Sequence, residues 1–498
     1  MRTARHDRAA ALQRQARRQT LHLGNQMSVE PGTIDPIERF LDLIEQTRLE
    51  DIPAPALEAG RVFFLDTAGV ALAGRLAPKL DDLLAAARLW APQGRQAEGA
   101  VIWNTGLRTA APVAALINGY QCHALEYDCV YEPGVVLPAP PIFAALMTHA
   151  STLAAAGRAP SGADLLRAFI VAVEVSCTLG AATRGNMIFF RPSTTGVFSA
   201  LAAIACIDPL PREQLRYAFG IAYSQMCGPM QAHEEGSMML AMQMGFAARN
   251  AQQAFDMARF GITAPVHLLM GRFGFFHNFE REHDLAAVLP GLGRDWKIAQ
   301  MSHKPFPSGR VTHGLVYALR QLRETHGITP GNALQRVRRI EVRLPPLGKR
   351  LVGRPMVHHP APNYARLCMP FVAAAELLRN RVDPSTFTPE VLRDEALETL
   401  ALRVHTLEGA HANPNAFYPQ HLTLELNDGQ RVEQPIPHAW GHPAQPMDAA
   451  AREDKFSLCW ALSRPDGGAT AGQALIEWLR RVDQRPDCTP LLHSLAAA

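Results

Sequence analysis

From Ile37 onward, apolar residues recur at helical spacing, beginning with Ile37, Phe40, Leu41 and Ile44 behind the start signal Asp35-Pro36. Ala-rich amphipathic stretches follow at 61–74, 80–90, 109–129, 140–156, 161–182, 195–206, 211–226 and 237–259. Gly157, Pro160, Pro209, Pro211 and Gly261 punctuate them, and strand signals are nearly absent as far as Gly274. A bundle of short-to-medium helices is the predicted result. The character changes near residue 300. Ile340, Val342 and Leu344 alternate with Glu341 and Arg343, the period of a half-buried strand, and Pro345-Pro346 ends it. Leu402, Val404 and Thr406 alternate likewise, while 421–426 and 430–433 flank Asn427-Asp428-Gly429 as a β-hairpin would. Helices over about 309–325 and 365–380 accompany these strands, and helical pattern returns at 449–462 and 471–482.

The pattern therefore predicts a mainly α protein with an α+β second domain, a large helical bundle joined to a smaller α/β lid. The expected divisions are an Arg-rich extension at 1–34, a helical domain at 35–297, the lid at 298–440 and C-terminal helices at 441–498 that rejoin the bundle. A chain of 498 residues exceeds one compact core, which agrees with two domains. An apolar fraction of 48% with 19% charged residues is globular rather than disordered.

Charge narrows the function. A net charge of +3 gives no footprint for nucleic acid. No apolar run reaches the roughly 18 residues of a membrane span. The eight cysteines form no CxxC pair and no zinc-like spacing with histidine, so reduced thiols in a cytoplasmic protein are expected. Arg2, Arg5, Arg8, Arg14, Arg17 and Arg18 face only Asp7 in the first 26 residues, but no apolar segment follows, so this is no secretory signal. A non-targeting extension, or a true start at Met27, is the expectation there.

Several segments carry a resemblance. HALEYDCVYEPGVVLPAPPI (123–142) is similar to an H-A-x-D-[FY]-D-D-T loop and the His-Pro-Ser after it, and EGSMMLAMQMGFAARNA (235–251) to a G-x-x-T-K-x-L-H-x-G helix. GITAPVHLLMGRFGFF (261–276), SHKPFPSGRVTHG (302–314), YARLCMPFVAAAELL (364–378) and the hairpin with Asp428-Gly429 complete the order. Together they resemble the MmgE/PrpD (2-methylcitrate dehydratase-like) family across nearly all of 35–462. The resemblance implies a helical domain plus an α/β lid, a homodimer, and an active cleft between the domains. It also implies lyase or isomerase chemistry on small carboxylates with neither metal nor other cofactor. Such a site needs cations for the carboxylates, a base and an acid.

The departures from the family fall at the chemistry. Its first loop Asp is Glu126, its Thr is Val130 and its loop His is Leu137. Its second His aligns with Arg191, or with Phe190 if the gap moves; Arg keeps a cation but shuttles no proton. The helix Lys is Leu240, the nearby His is Gln243, and the Tyr of the second-domain helix is Phe371. Asp128, Lys304 and His313 are kept, with Ser193, Arg310 and Arg366 flanking.

Lys304 lies in the Pro-bracketed loop 303–307, which cannot be regular helix, so a cation held rigidly in a cleft is one reading and a surface lysine the other. Arg310 and His313 stand at i and i+3, on one face of a helix expected to start near Ser308 as N-cap. His313 and His303 are the expected bases; a satisfied buried histidine is the plainer alternative for His313. Glu126 and Asp128 bracket Tyr127, either sharing a pocket that raises one pKa or serving as cap and salt bridge. Arg191 and Ser193 precede a helix and suit a carboxylate, against a salt-bridged loop arginine. Segment 233–236 is expected to be a solvated loop, and Met238, Met239, Met242 and Met244 to be mostly core beside a more apolar site wall.

Two functions follow. In one, an enzyme removes a proton from a small carboxylate, with Lys304, His313, Asp128 and Glu126 catalytic and Arg191, Ser193, Arg310, His303 and Arg366 binding substrate. In the other, a catalytically silent relative binds a small acid or plays a structural role. Lys304, Arg191 and a carboxylate converging on a pocket favour the first; a cleft of Leu137, Leu240, Val130 and Phe371 alone excludes it.

Overall fold

The computed structural model describes residues 34–90 and 99–497, so the Arg-rich segment and Met27 lie outside the described residues. It is a mainly α protein with a small mixed sheet in the C-terminal half. Helices Ala139–Ala155 and Arg191–Ile207 are buried on nearly every face, which is why their sequences are apolar all round rather than striped. Around them pack Ala54–Ala73, Ala111–His123, Gly162–Ala181, Arg212–Ser224 and Met239–Arg259. Prolines occupy first turns, where no donor is missed, at Ala111–His123, Ala139–Ala155 and Arg191–Ile207. Ser161 and Asp164 close a capping box on Gly162–Ala181, with Asp164 N donating to Ser161 Oγ at 3.1 Å.

One helix contact sets the position of the site. Ala111–His123 and Met239–Arg259 meet through Gly119 and Gly245; a Cβ on Gly245 would lie 2.2 Å from the Leu116 carbonyl oxygen. On propensity alone Gly245→Ala would gain about 1 kcal/mol in a helix interior. Overpacking against backbone reverses the sign, and a loss of about 1–3 kcal/mol in urea unfolding is expected. A stabilised Gly245→Ala protein would show that these helices do not touch.

The sheet runs in the order Val404–Glu408, Val337–Leu344, Gln420–Leu426, Arg431–Ile436. The first pair is parallel (Ile340 opposite Val404) and the other two antiparallel (Ile340 opposite Leu424; Leu424 opposite Val432). A parallel pair needs a crossover, and the helices between residues 346 and 401 supply it. Thr312–Thr325 and Met369–Arg379 pack together beside the sheet, and Gly429 takes φ +90° in the hairpin turn. Helices Ala449–Ser463 and Ala469–Arg480 return to Ala54–Ala73, where buried Lys455 pairs with Asp66 at 2.8 Å.

Four boundaries differ from the sequence expectation. The stretch 109–129 stops being helix at His123. The helix expected from Ser308 begins at Thr312, and Ser308 Oγ bonds the Thr312 hydroxyl at 2.8 Å instead of capping. Arg310 therefore precedes the helix rather than sharing a face with His313. Leu402 is exposed, and the strand starts at Val404, where Val337–Leu344 offers a partner. Segment 233–236 is solvated only in part: Glu234 and Glu235 are exposed, but they belong to the helical turn Gln231–Glu235, which buries His233. Of the methionine run, Met242 and Met244 are core and Met239 is exposed. The eight cysteines are unpaired, seven of them buried. Among the described residues no helix is long and apolar enough to cross a membrane.

Candidate active site

The early stop of Ala111–His123 creates the site. Glu126 turns the chain with φ +52°, a left-handed conformation costing a non-glycine residue roughly 1–2 kcal/mol. The turn brings two carboxylates to one imidazole. His123 Nδ1 meets Asp128 Oδ1 at 2.8 Å, and His123 Nε2 faces Glu126 Oε1 at 3.4 Å. The second contact is long and misaligned for a hydrogen bond, so it acts as ionic attraction. On its other oxygen, Oε2, Glu126 accepts a hydrogen bond from Lys304 Nζ at 2.8 Å. Lys455 Nζ clamps the turn by donating to the Tyr127 carbonyl at 2.9 Å. The result is a buried chain, Asp128–His123–Glu126–Lys304, ending at the interdomain cleft.

Its charges follow from the contacts. Burial alone would push the His123 imidazole down, but Asp128 and Glu126 outweigh burial and raise it to about 9. Burial likewise opposes ionisation of Glu126, yet Lys304 and His123 hold its carboxyl well below the usual range. His123 is thus charged near neutral pH and the Glu126 carboxylate sits between two cations.

Among the described residues the polar lining of the cleft is Glu126, His233, Lys304 and Arg310. Leu137, Leu240 and Val130 form apolar wall, as their side chains dictate, whereas Phe371 is buried in the second core instead. His233 is 4% exposed, and neither ring nitrogen has a partner. Burial, then the neighbouring Arg354, pushes it down to about 4, so it is neutral with one donor and one acceptor free.

The other residues singled out in the sequence are placed as follows. Arg310 reaches the cleft, but its Nε donates to Glu132 at 2.7 Å and its other nitrogens to the His303, Trp440 and Ala439 carbonyls. Arg191 lies outside the cleft, fully buried, and spends its fork on Glu280 (2.9 Å), Asn415 (2.8 Å) and the Gly185 carbonyl (3.0 Å). Its neighbour Phe190 lines the cleft instead. Ser193 Oγ faces the Cys227 and Gln243 carbonyls at 2.9 and 3.1 Å. His303 stacks on Phe63 at 4.3 Å, and His313 Nε2 bonds the Ser308 carbonyl at 3.1 Å. Both rings are buried away from the cleft, and burial, then nearby cations, holds them well below the ordinary histidine range. Arg366 is 3% exposed, with Nε and Nη1 unpartnered; burial lowers it to about 10 against the opposing pull of Glu126. Of the nine, the structure brings Glu126, Asp128 and Lys304 into one chain.

Two residues were missed. His123 stands at the head of the quoted loop, and its i, i+3 and i, i+5 carboxylates were a legible signal. His233 carried none, because only the tertiary fold buries it.

A helical bundle, a unit built on a four-stranded sheet and a buried chain of ion-paired side chains at their junction define a class, and the sequence comparisons agree with it. The chain belongs to the MmgE/PrpD family: residues 38–287 match the model of its N-terminal domain and 306–475 that of its C-terminal domain. Its relatives include the cis-aconitate decarboxylase of Aspergillus terreus (strain NIH 2624 / FGSC A1156), 24% identical over 90% of this chain and 93% of the relative. Human cis-aconitate decarboxylase is 25% identical over 77% of this chain and 79% of its own.

Proposed function

We propose that the protein is an enzyme that moves a proton at the carbon beside a carboxylate of a small acid, as a lyase or isomerase. The observation that carries this reading is the Asp128–His123–Glu126–Lys304 chain opening on a cleft with largely apolar walls. An ammonium at 2.8 Å from a carboxylate is poised to exchange that partner for a substrate carboxylate and to stabilise enolate charge. Neutral His233 takes the proton as the C–H bond breaks, and the electron pair is held as an enolate against Lys304. A bound anion raises the proton affinity of His233 from its depressed value. The pair then expels hydroxide, protonated to water by the Lys304 ammonium, or takes a proton from that ammonium on the face opposite His233. The decarboxylase names of the relatives support carboxylate chemistry in general. A silent, acid-binding role is the second reading, favoured by Leu137 and Leu240 in the wall.

Proton NMR in heavy water with small acids separates the two. Loss of an α C–H signal that requires His233 and Lys304 supports the enzyme. A folded protein that exchanges no proton from 2-methylcitrate, cis-aconitate, itaconate, tartrate or any monocarboxylate offered sinks it.

A further inference from the structure

Ion pairing at the cleft leaves little charge for a substrate. Lys304 is matched by Glu126 at 2.8 Å, His123 by Asp128 at 2.8 Å and Arg310 by Glu132 at 2.7 Å. Arg366, next in sequence to the cleft residue Leu367, is buried with two unpartnered nitrogens; it makes no ion pair among the described residues, although the Glu126 charge acts on it, and it lies outside the cleft lining. Of the two cations in the cleft lining, Arg310 is spent on Glu132 and three carbonyls, whereas the single side-chain partner of Lys304 among the described residues, Glu126, is also held by His123, so Lys304 can turn to one substrate carboxylate. The second and third carboxylates of a tricarboxylate would find no free cation in the lining among the described residues, the costly case for any buried ion.

The walls point the same way. Val130, Leu137, Phe190 and Leu240 on the helical side face Val352 and Phe417 on the lid side. None of these can donate or accept a hydrogen bond from a side chain. His233, the remaining free polar group, is neutral, and it matches a hydroxyl or carbonyl better than a second anion.

We propose that the substrate is a monocarboxylic acid with an apolar body, its carboxylate at the Lys304 end of the cleft and its hydrocarbon along the Leu137–Leu240 wall. The inference rests on the reading of this cleft as the substrate site and narrows it to a class with a single anion. The same wall carries Leu137 and Leu240 where the family resemblance places a histidine and a lysine, two groups able to meet further carboxylates.

The test is isothermal titration of the full chain with 3-hydroxyhexanoate and with cis-aconitate, followed by exchange of each ligand's C–H protons in heavy water. The monoacid is expected to bind at least about tenfold more tightly, a difference of roughly 1.4 kcal/mol. Leu137→His combined with Leu240→Lys should reverse the preference, and the unmodified chain decides the matter alone if that variant does not fold. Tighter 3-hydroxyhexanoate binding without exchange upholds this inference while removing the proton-transfer reading. Equal or tighter cis-aconitate binding overturns it, and exchange of cis-aconitate protons would then leave the proton-transfer reading standing. Failure of both acids to bind at millimolar concentration overturns it too.

Discussion

Replacing Lys304 with methionine is expected to slow substrate proton exchange by about a hundred- to a thousandfold, the range for loss of one charge-stabilising group. It should also lower stability by ~3–5 kcal/mol, the cost of leaving one member of a buried ion pair behind. Both effects have one source. Lys304 is 1% exposed, and among the described residues the one side-chain hydrogen bond it makes is to Glu126, so methionine fills the stem's space but strands a carboxylate with His123 alone. Exchange rates and urea unfolding measure the two effects separately. Adding Glu126→Gln should restore at least half of the lost stability and none of the activity, because the stranded charge disappears while the cation stays missing. A Lys304→Met protein within about 1 kcal/mol of the parent would mean that solvent reaches the pair, and the closed, low-dielectric cleft would have to be abandoned.

The sequence made the scaffold legible and the site only partly so, for a physical reason. Helices such as Gly162–Ala181 and strands such as Val337–Leu344 declare themselves through local periodicity and capping. The hairpin at Asp428-Gly429 does so through turn chemistry. The roles of the arginines depend on partners far along the chain. Arg191 looks like an anion grip until Glu280, 89 positions away, meets it, and Glu132 engages Arg310 from 178 positions away. His313 and His303 are the histidines the loop motif advertises, yet packing buries both outside the cleft, while His233 enters it from a segment that reads as polar loop. The stop of the helix at His123 was equally unannounced, since residues 124–129 contain no glycine or proline. Glu126 tolerates a left-handed φ because Lys304 and His123 reward its new position.

Stability should peak near pH 6.5, with the two sides of the peak assigned to two different histidines. His123 moves from 6.5 to about 9 on folding, so its contribution is complete below 6.5 and is lost as pH rises through about 9. Taking about 1.4 kcal/mol per pH unit, that is worth roughly 3 kcal/mol. His233 moves the other way, from 6.5 to about 4. Below 6.5 the unfolded chain binds a proton that the folded protein refuses, so stability falls by a similar amount, roughly 3 kcal/mol, as pH drops toward 4. His303 and His313, held well below the ordinary range, steepen the acid side. Asp35 and Glu280, whose carboxyls burial pushes up, flatten it, so single variants carry the test better than the whole curve. Urea unfolding at pH 5, 6.5 and 8.5 is the measurement. His123→Gln leaves Asp128 without its cation and lowers stability throughout, but it should abolish the decline above 6.5. His233→Leu should relieve part of the decline below 6.5 and leave the alkaline side unchanged. An alkaline slope that survives His123→Gln would place the titrating group elsewhere, and with it the charge that the Asp128–His123–Glu126 turn is built to hold.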